Sequence, residues 1–321
     1  MNSPRIGLTL GDPGGVGPEI ILRLLQKEEL PPGQIIIFGQ RKILELWALK
    51  LGLDAGWLEE RIRENKLVVE ETGPPLKELT IGQPTEEGGR LSFAFFRQAV
   101  ERAGAGELEA LVTGPVSKIS WARAGLRYRG HTEYLEHLYP GCMMSFWSER
   151  LKLVLFTHHL PLREALKKVK KDKIKSFLLS LEKNLSSWPF GVKEILVCGL
   201  YPHAGEDGTI GTEEETEIKP VIREMSGSRL KISGPFPADT VFLRALDHPE
   251  RLVLSLYHDQ GLVAFKLVSF TSGVNLTLGL PFLRTSPDHG TAYDLAGQGK
   301  AETGSMKEAL WLAWKLVRAK V

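Results

Sequence analysis

The chain holds eight histidines and only two cysteines, Cys142 and Cys198, so metal ligation falls to imidazole rather than thiolate. Three strand-like apolar runs each lead into a histidine followed by turn residues. Residues 151–157 lead into His158-His159-Leu160-Pro161, residues 195–200 into Tyr201-Pro202-His203-Ala204-Gly205, and residues 252–256 into Tyr257-His258-Asp259-Gln260-Gly261. In parallel α/β sheets, ligands bind beyond the carboxyl ends of the strands. Three imidazoles there, with room for solvent or substrate, make the donor set of a catalytic divalent-metal site. One such histidine alone is more often structural or a simple hydrogen-bonding group. His158 and His159 are adjacent, so at most one points at the site if the strand continues.

Cationic residues in apolar settings supply a second chemistry. Lys266 sits within the apolar run 262–268, too apolar for a solvated surface charge, and Arg284 follows Leu280-Pro281-Phe282-Leu283. Together they suit a phosphate or carboxylate; the alternative is internal ion pairing with Asp259 or Asp288. Gly114-Pro115-Val116-Ser117-Lys118 and Gly130-His131-Thr132-Glu133 each open a helix-like segment. Both can offer amides to an anion, or Ser117 and Thr132 can simply cap, the preferred role for Ser117. The loop Gly11-Asp12-Pro13-Gly14-Gly15-Val16-Gly17-Pro18-Glu19 follows the first strand and is either an anion site or a tight turn. Its glycine spacing is neither the dinucleotide fingerprint nor a P-loop. The loop 286–299, rich in Gly, Thr and Asp, is either structural or a binder of ribose hydroxyls.

These residues are positioned by strands expected at 6–10, 35–38, 67–69, 108–113, 151–157, 194–200, 230–232, 251–257 and 274–278. Amphipathic helices are expected between them at 18–27, 41–50, 91–103, 174–185 and 213–225, with a final helix at 305–318. Alternating strands and helices mean an α/β fold with a largely parallel sheet. The Gly- and Pro-rich patches at 73–76, 125–130 and 279–290 read as site loops rather than tethers. The 321 residues are 42% hydrophobic and 25% charged, with a net charge of +2, an ordinary globular composition that argues against a nucleic-acid partner. No apolar run approaches the ~20 residues of a membrane span, and residues 1–10 lack a leader pattern. The cysteine usage suits a reducing compartment, so a cytoplasmic protein is expected.

As a set, the motifs resemble the 4-hydroxythreonine-4-phosphate dehydrogenase family of vitamin B6 (pyridoxine) biosynthesis. The matching stretches are 11–20, 114–118, 130–135, 157–162, 201–205, 234–241, 257–262 and 273–299, in family order along nearly the whole chain. The family is in turn similar to isocitrate and isopropylmalate dehydrogenases, whose Gly-Asp-Gly-Ile-Gly-Pro-Glu loop resembles 11–19 and whose nucleotide loop resembles 289–292. The resemblance implies an oxidoreductase that oxidises 4-phosphooxy-L-threonine at C3 with NAD or NADP. Decarboxylation then gives 3-amino-2-oxopropyl phosphate. It implies one divalent metal ion (zinc, magnesium or cobalt) on His159, His203 and His258, with His258 supplied by the partner subunit of a homodimer. Substrate contacts carry over to His131, Thr132, Lys266, Asn275 and Arg284, catalytic candidates to Asp239 and Lys266, and cofactor contacts to Gly290, Thr291 and Asp294. The implied architecture is two α/β/α lobes with an active-site cleft between them: a nucleotide-side lobe of 1–125 plus 268–321, and a central lobe of 126–267 with the metal ligands and dimerisation surface. The chain departs from the family at His158-His159, where one histidine is usual, and at Gly14-Gly15, where Ala-Gly is common. Two other readings fit the same residues. One is a paralogous dehydrogenase of threonate or erythronate 4-phosphate; the other is a non-catalytic metal- or phosphate-binding protein.

Overall fold

The computed structural model describes residues 4–27, 30–54, 56–64 and 66–320. Contacts divide the chain into one unit of Met1–Pro140 with Leu280–Val321 and a second of Gly141–Gly279. The first unit runs β1 (Arg5–Thr9), α1 (Gly17–Gln26), β2 (Gln34–Gly39), α2 (Arg41–Lys50), α3 (Gly56–Arg63), β3 (Leu67–Glu71), α4 (Glu86–Gly104), β4 (Ala110–Thr113), α5 (Lys118–Arg123) and α6 (His131–Leu138). The second unit runs β5 (Met143–Trp147), β6 (Lys152–Leu155), α7 (Leu162–Lys168), α8 (Lys171–Ser186), β7 (Glu194–Cys198), a π-helical turn (Glu214–Ile218), α9 (Lys219–Glu224), β8 (Lys231–Phe236), α10 (Val241–Ala245), β9 (Arg251–Ser255), α11 (His258–Ser269) and β10 (Val274–Leu278). The chain then returns to the first unit as β11 (Leu283–Pro287) and α12 (Gly304–Lys320).

Strands of the first unit lie in the order β3-β2-β1-β4-β11, with every neighbouring pair parallel. The run Ile35, Ile36, Ile37 and Phe38 is buried throughout, as a strand covered on both faces must be. Against it, α4 buries Leu91, Phe95, Phe96, Ala99, Val100 and Ala103 at helical spacing. Its N-cap Thr85 accepts the Gly88 amide at 2.9 Å, and Ser117 caps α5 by accepting the Ser120 amide at 3.1 Å. Thr132 makes no such cap; it lies inside the first turn of α6, after Gly130.

Strands of the second unit lie in the order β10-β5-β6-β9-β7-β8. β6, β9, β7 and β8 are mutually parallel, while β5 runs antiparallel to both β6 and β10. Its core joins Phe146, Leu153, Leu196, Val253 and Phe265 with Cys198. Neither cysteine is in a disulfide, and burial pushes the Cys198 thiol up to about 12, which makes it an inert core group. Among the described residues no helix is long and apolar enough to cross a membrane.

The unit boundaries differ from the sequence expectation. Residues 126–140 join the terminal unit because the His131 and Tyr134 rings pack on Phe96, with centroids 4.3 and 5.5 Å away. Residues 268–279 stay with the middle unit because β10 pairs with β5. β5 and β11 were not foreseen. β11 is polar yet buried: Arg284, Thr285 and Ser286 are all inside, and Thr285 Oγ1 donates to the Ala309 carbonyl at 2.9 Å.

Glu19 links the first helix to the last loop. It is fully buried, Oε2 accepting the Gly297 amide at 2.8 Å and Oε1 the Ala301 amide at 3.1 Å. Glu19→Ala strips two amides of their acceptor, at ~1–3 kcal/mol for each buried donor left unmet. Urea unfolding should therefore show a loss of about 3 kcal/mol. A loss below ~1 kcal/mol would mean that water replaces the carboxylate without penalty.

Candidate active site

The three histidines follow three strands that are neighbours and parallel. β6 ends at Leu155, paired with Ser255 at the end of β9, and β9 in turn pairs with β7, which ends at Cys198. His159, His203 and His258 thus leave one edge of one sheet. The ring of His159 lies 5.7 Å from that of His258 and 5.4 Å from that of His158, so His159 of the adjacent pair meets His258. His159 takes a left-handed backbone, with φ 48°. His258 is the first residue of α11 rather than part of a turn, and its Nδ1 lies 2.6 Å from Asp259 Oδ1. A carboxylate on one ring nitrogen fixes the tautomer and turns the other nitrogen outward, the usual arrangement behind a ligating imidazole.

His203 stands in a different environment. It opens a run of five residues, His203 to Asp207, that all have positive φ between 44° and 79°. Left-handed backbone costs ~1–2 kcal/mol per residue when a Cβ is present, and strain of this kind concentrates at functional sites. Its ring is exposed, with Glu206 3.7 Å away. Among the described residues no group of three or more His, Cys, Asp or Glu side chains is arranged to hold a metal ion. One chain therefore brings His159 and His258 together and leaves His203 apart. The donor types suit a divalent ion: two neighbouring imidazoles, one oriented by a carboxylate, and a third beyond the end of an adjacent parallel strand.

Beside α11 lies a groove of ≈ 540 Å³ whose walls include Asp239, Phe242, Tyr257, Asp259, Gln260 and Val263. Asp239 is exposed there. Asn275 sits in β10 opposite Phe146. Lys266 is half-buried in α11, with Nζ 5.7 Å from the Phe270 ring centre. The surrounding apolar run is not all core, as the sequence had suggested. It splits between two helix faces: Leu262 and Phe265 are buried while Val263 and Leu267 face outward.

In the first unit, Arg284 is 3% exposed. Its Nη2 donates to Thr113 Oγ1 at 2.5 Å and to His131 Nδ1 at 3.1 Å. Burial, then the neighbouring guanidinium, hold the His131 imidazole well below its ordinary value, so the ring is neutral. With Nδ1 accepting from Arg284, the ring proton belongs on Nε2, which is buried with no hydrogen-bond partner in the protein. A buried guanidinium beside an unsatisfied N–H donor has the chemistry to receive an anionic oxygen. Thr132 follows His131 in the same first turn of α6.

The loop 11–19 is not an open anion site. Its amides are already taken: Gly14 N donates to Asp12 Oδ1, Gly15 N to the Asp12 carbonyl and Val16 N to the Thr291 carbonyl, all at 2.9–3.0 Å. The loop instead holds residues 288–301. A Cβ on Gly15 would stand 2.9 Å from Thr291 Cβ, so this contact requires glycine. Tyr293 donates to Asp12 Oδ2 at 2.8 Å and lies 3.0 Å from Ser120 Oγ. Burial, then Asp12, push the Tyr293 hydroxyl up to about 12, so it remains a donor, and burial raises Asp12. Asp12, Ser120 and Tyr293 make a buried clamp that sequence reading missed. Gly290 and Asp294 are exposed on the clamped loop and Thr291 is half-buried.

Imidazoles at parallel strand ends and a buried Arg284–His131 pair are set on a mixed α/β fold. A family model described as pyridoxal phosphate biosynthetic protein PdxA matches residues 33–313, and the chain belongs to that family. It is 40% identical over 320 residues to the 4-hydroxythreonine-4-phosphate dehydrogenase of Aquifex aeolicus, covering 96% of this chain and 97% of the relative. It is 36% identical over 329 residues, 99% of both chains, to an Oceanobacillus iheyensis protein provisionally named D-threonate 4-phosphate dehydrogenase. The crystal structure of 4-hydroxythreonine-4-phosphate dehydrogenase from Klebsiella pneumoniae matches with a TM-score of 0.81 at 32% identity, covering 98% of this chain and all 100% of that one.

The neutral state of His131 has a pH signature. Its folded pKa is depressed, so below an unfolded value of ~6.5 the unfolded chain binds the extra proton. Stability is fully present above that pH and falls as the solution is acidified. Between pH 6.5 and 5 the His131→Asn variant should lose stability less steeply than wild type, by up to ~1.4 kcal/mol per pH unit in urea unfolding. Equal slopes would mean that His131 is charged in the fold.

Proposed function

We propose that this chain is an NAD(P)-dependent, divalent-metal-dependent dehydrogenase that oxidises 4-phosphooxy-L-threonine at C3. Loss of the C1 carboxylate as CO₂ then gives 3-amino-2-oxopropyl phosphate, in pyridoxal phosphate biosynthesis. The observation that carries this reading is the buried Arg284–His131 pair, a receptor for a phosphorylated or carboxylated substrate, in a chain that aligns with dehydrogenases of such a substrate over its length. Arg284, His131 and Thr132, with Lys266 and Asn275, bind and orient the substrate oxygens. His131, with its proton on Nε2, is set to donate a hydrogen bond, which makes Asp239 the better acceptor for the alcohol proton. Lys266 is the proposed second acid–base group. Gly290, Thr291 and Asp294, on the loop locked by Asp12 and Glu19, are the proposed dinucleotide contacts.

His159, His203 and His258 are the proposed ligands of the ion. When bound, zinc, magnesium or cobalt supplies Lewis acidity toward the C3 oxygen, and the nicotinamide supplies the two-electron acceptor. The site is proposed to be shared in a homodimer; the resemblance implies His258 from the partner subunit, whereas within one chain the His159 and His258 rings already lie 5.7 Å apart. Leu243, Leu267 and Phe270 are 70%, 82% and 73% exposed on or beside α10 and α11, and α11 begins with His258. An apolar face of this kind is suited to a second copy of the chain. Two cysteines outside any disulfide suit a cytoplasmic location.

A second reading has support from the Oceanobacillus relative: D-threonate 4-phosphate carries a hydroxyl where the first substrate carries an amine. The phosphate and metal residues named here do not separate the two. Absorbance at 340 nm should show NAD⁺ or NADP⁺ reduction with 4-phosphooxy-L-threonine. Activity should fall at least ~100-fold after chelation and return with one of the three ions. Turnover of threonate 4-phosphate alone would favour the second reading. Turnover of neither, by metal-loaded enzyme, would contradict both and leave a binding protein.

A further inference from the structure

The proposed ligand His203 is aimed by a segment that looks unable to hold its own shape. Five consecutive left-handed residues follow the end of β7, four of them carrying a Cβ. Such a turn persists only where its ends are held from outside. Two buried side chains do this. On one side, Gln260 donates to the Gly199 carbonyl at 2.7 Å and accepts the Leu256 amide at 2.7 Å, joining the segment before His203 to the one before His258.

On the other side stands Glu214, a fully buried carboxylate. Its Oε1 accepts both the Leu200 and the Tyr201 amide, each at 2.8 Å. Its Oε2 is buried without a hydrogen-bond partner and faces the middle of the turn: a Cβ on Gly205 would come within 2.7 Å of it. Gly205, at φ 79°, is therefore fixed as glycine by both its conformation and this contact. Glu214 also opens the π-helical turn Glu214–Ile218, a wide turn of the kind found at functional positions. An ordinary amphipathic helix is expected over 213–225 from the sequence.

We propose that Glu214 is the positioning residue of His203: its carboxylate anchors residues 200 and 201, seats Gly205 and thereby sets the direction in which the His203 ring leaves the chain. This rests on the reading of His203 as a metal ligand. It assigns to the chain a buried group behind that ligand, as Asp259 stands behind His258. Outer groups of this kind shift metal affinity by ~10–100-fold when altered.

The test is Zn²⁺ affinity of the metal-stripped full-length protein, by competition with a chromophoric chelator, alongside circular dichroism and thermal melting. Glu214→Gln keeps the side-chain volume and one acceptor oxygen, and Gly205→Ala pushes on the carboxylate from the other side. Either should weaken Zn²⁺ by ~10–100-fold with a wild-type spectrum, and any lost turnover should return at saturating metal. His203→Ala separates the two claims. If it binds Zn²⁺ as tightly as wild type, the ligand reading itself fails. If it loses Zn²⁺ while Glu214→Gln and Gly205→Ala keep wild-type affinity, only the role of Glu214 is overturned. If neither of those two variants folds, Glu214 supports the unit as a whole rather than His203, and the proposal is equally overturned.

Discussion

A guanidinium that is 3% exposed organises the first unit. Arginine does not shed its proton in a protein, so Arg284 must be met by hydrogen bonds and by an anion. Three elements meet at it. β11 carries the side chain inward, β4 offers the Thr113 hydroxyl, and α6 presents the His131 ring, which packs against Phe96 of α4. Thr113 and His131 are neutral acceptors for its donors. The same burial that keeps His131 neutral leaves its Nε2–H inside and unmatched. A substrate oxygen that accepts from Nε2–H would sit beside the guanidinium, which ties the fold to the proposed chemistry.

The same principle recurs wherever a loop must be placed accurately. Glu19 takes two amides from residues 297 and 301, Asp12 takes Gly14 and Tyr293, Glu214 takes residues 200 and 201, and Gln260 spans Gly199 and Leu256. Each is a buried polar side chain holding backbone that no strand or helix ladder satisfies. The apolar core fixes where the strands lie. These polar anchors fix where the loops between them go.

Much of this was legible from residue order alone. Continuous apolar runs such as 35–38 marked doubly covered strands, and their alternation with amphipathic helices marked the parallel α/β class. The three histidines were located by a rule about strand ends, and those strands are indeed parallel neighbours. What stayed hidden depends on tertiary contact. β11 reads as loop because Arg284, Thr285 and Ser286 are polar; only a buried partner such as the Ala309 carbonyl makes them strand residues. Lys266 seemed buried because its neighbours are apolar, but a helix distributes such neighbours over two faces. The glycines of 11–19 left an anion site and a tight turn both open, and Asp12 and Thr291 occupy the amides of Gly14, Gly15 and Val16. Glu214 lies inside an acidic run, Glu213-Glu214-Glu215, whose pattern does not mark it as buried; it opens the π turn and is fully buried. Gly205 and Gly208 were the sole sequence signal that the backbone there is unusual.

Arg284 is proposed to be buried to receive the substrate's anionic group, and substrate binding to Arg284→Met decides this. Methionine fills comparable space without the charge, so calorimetry should show 4-phosphooxy-L-threonine binding weakened by about 100-fold, while the melting temperature is unchanged or higher. Unchanged substrate affinity in a folded Arg284→Met protein would contradict the account, because the buried charge would then serve the fold alone.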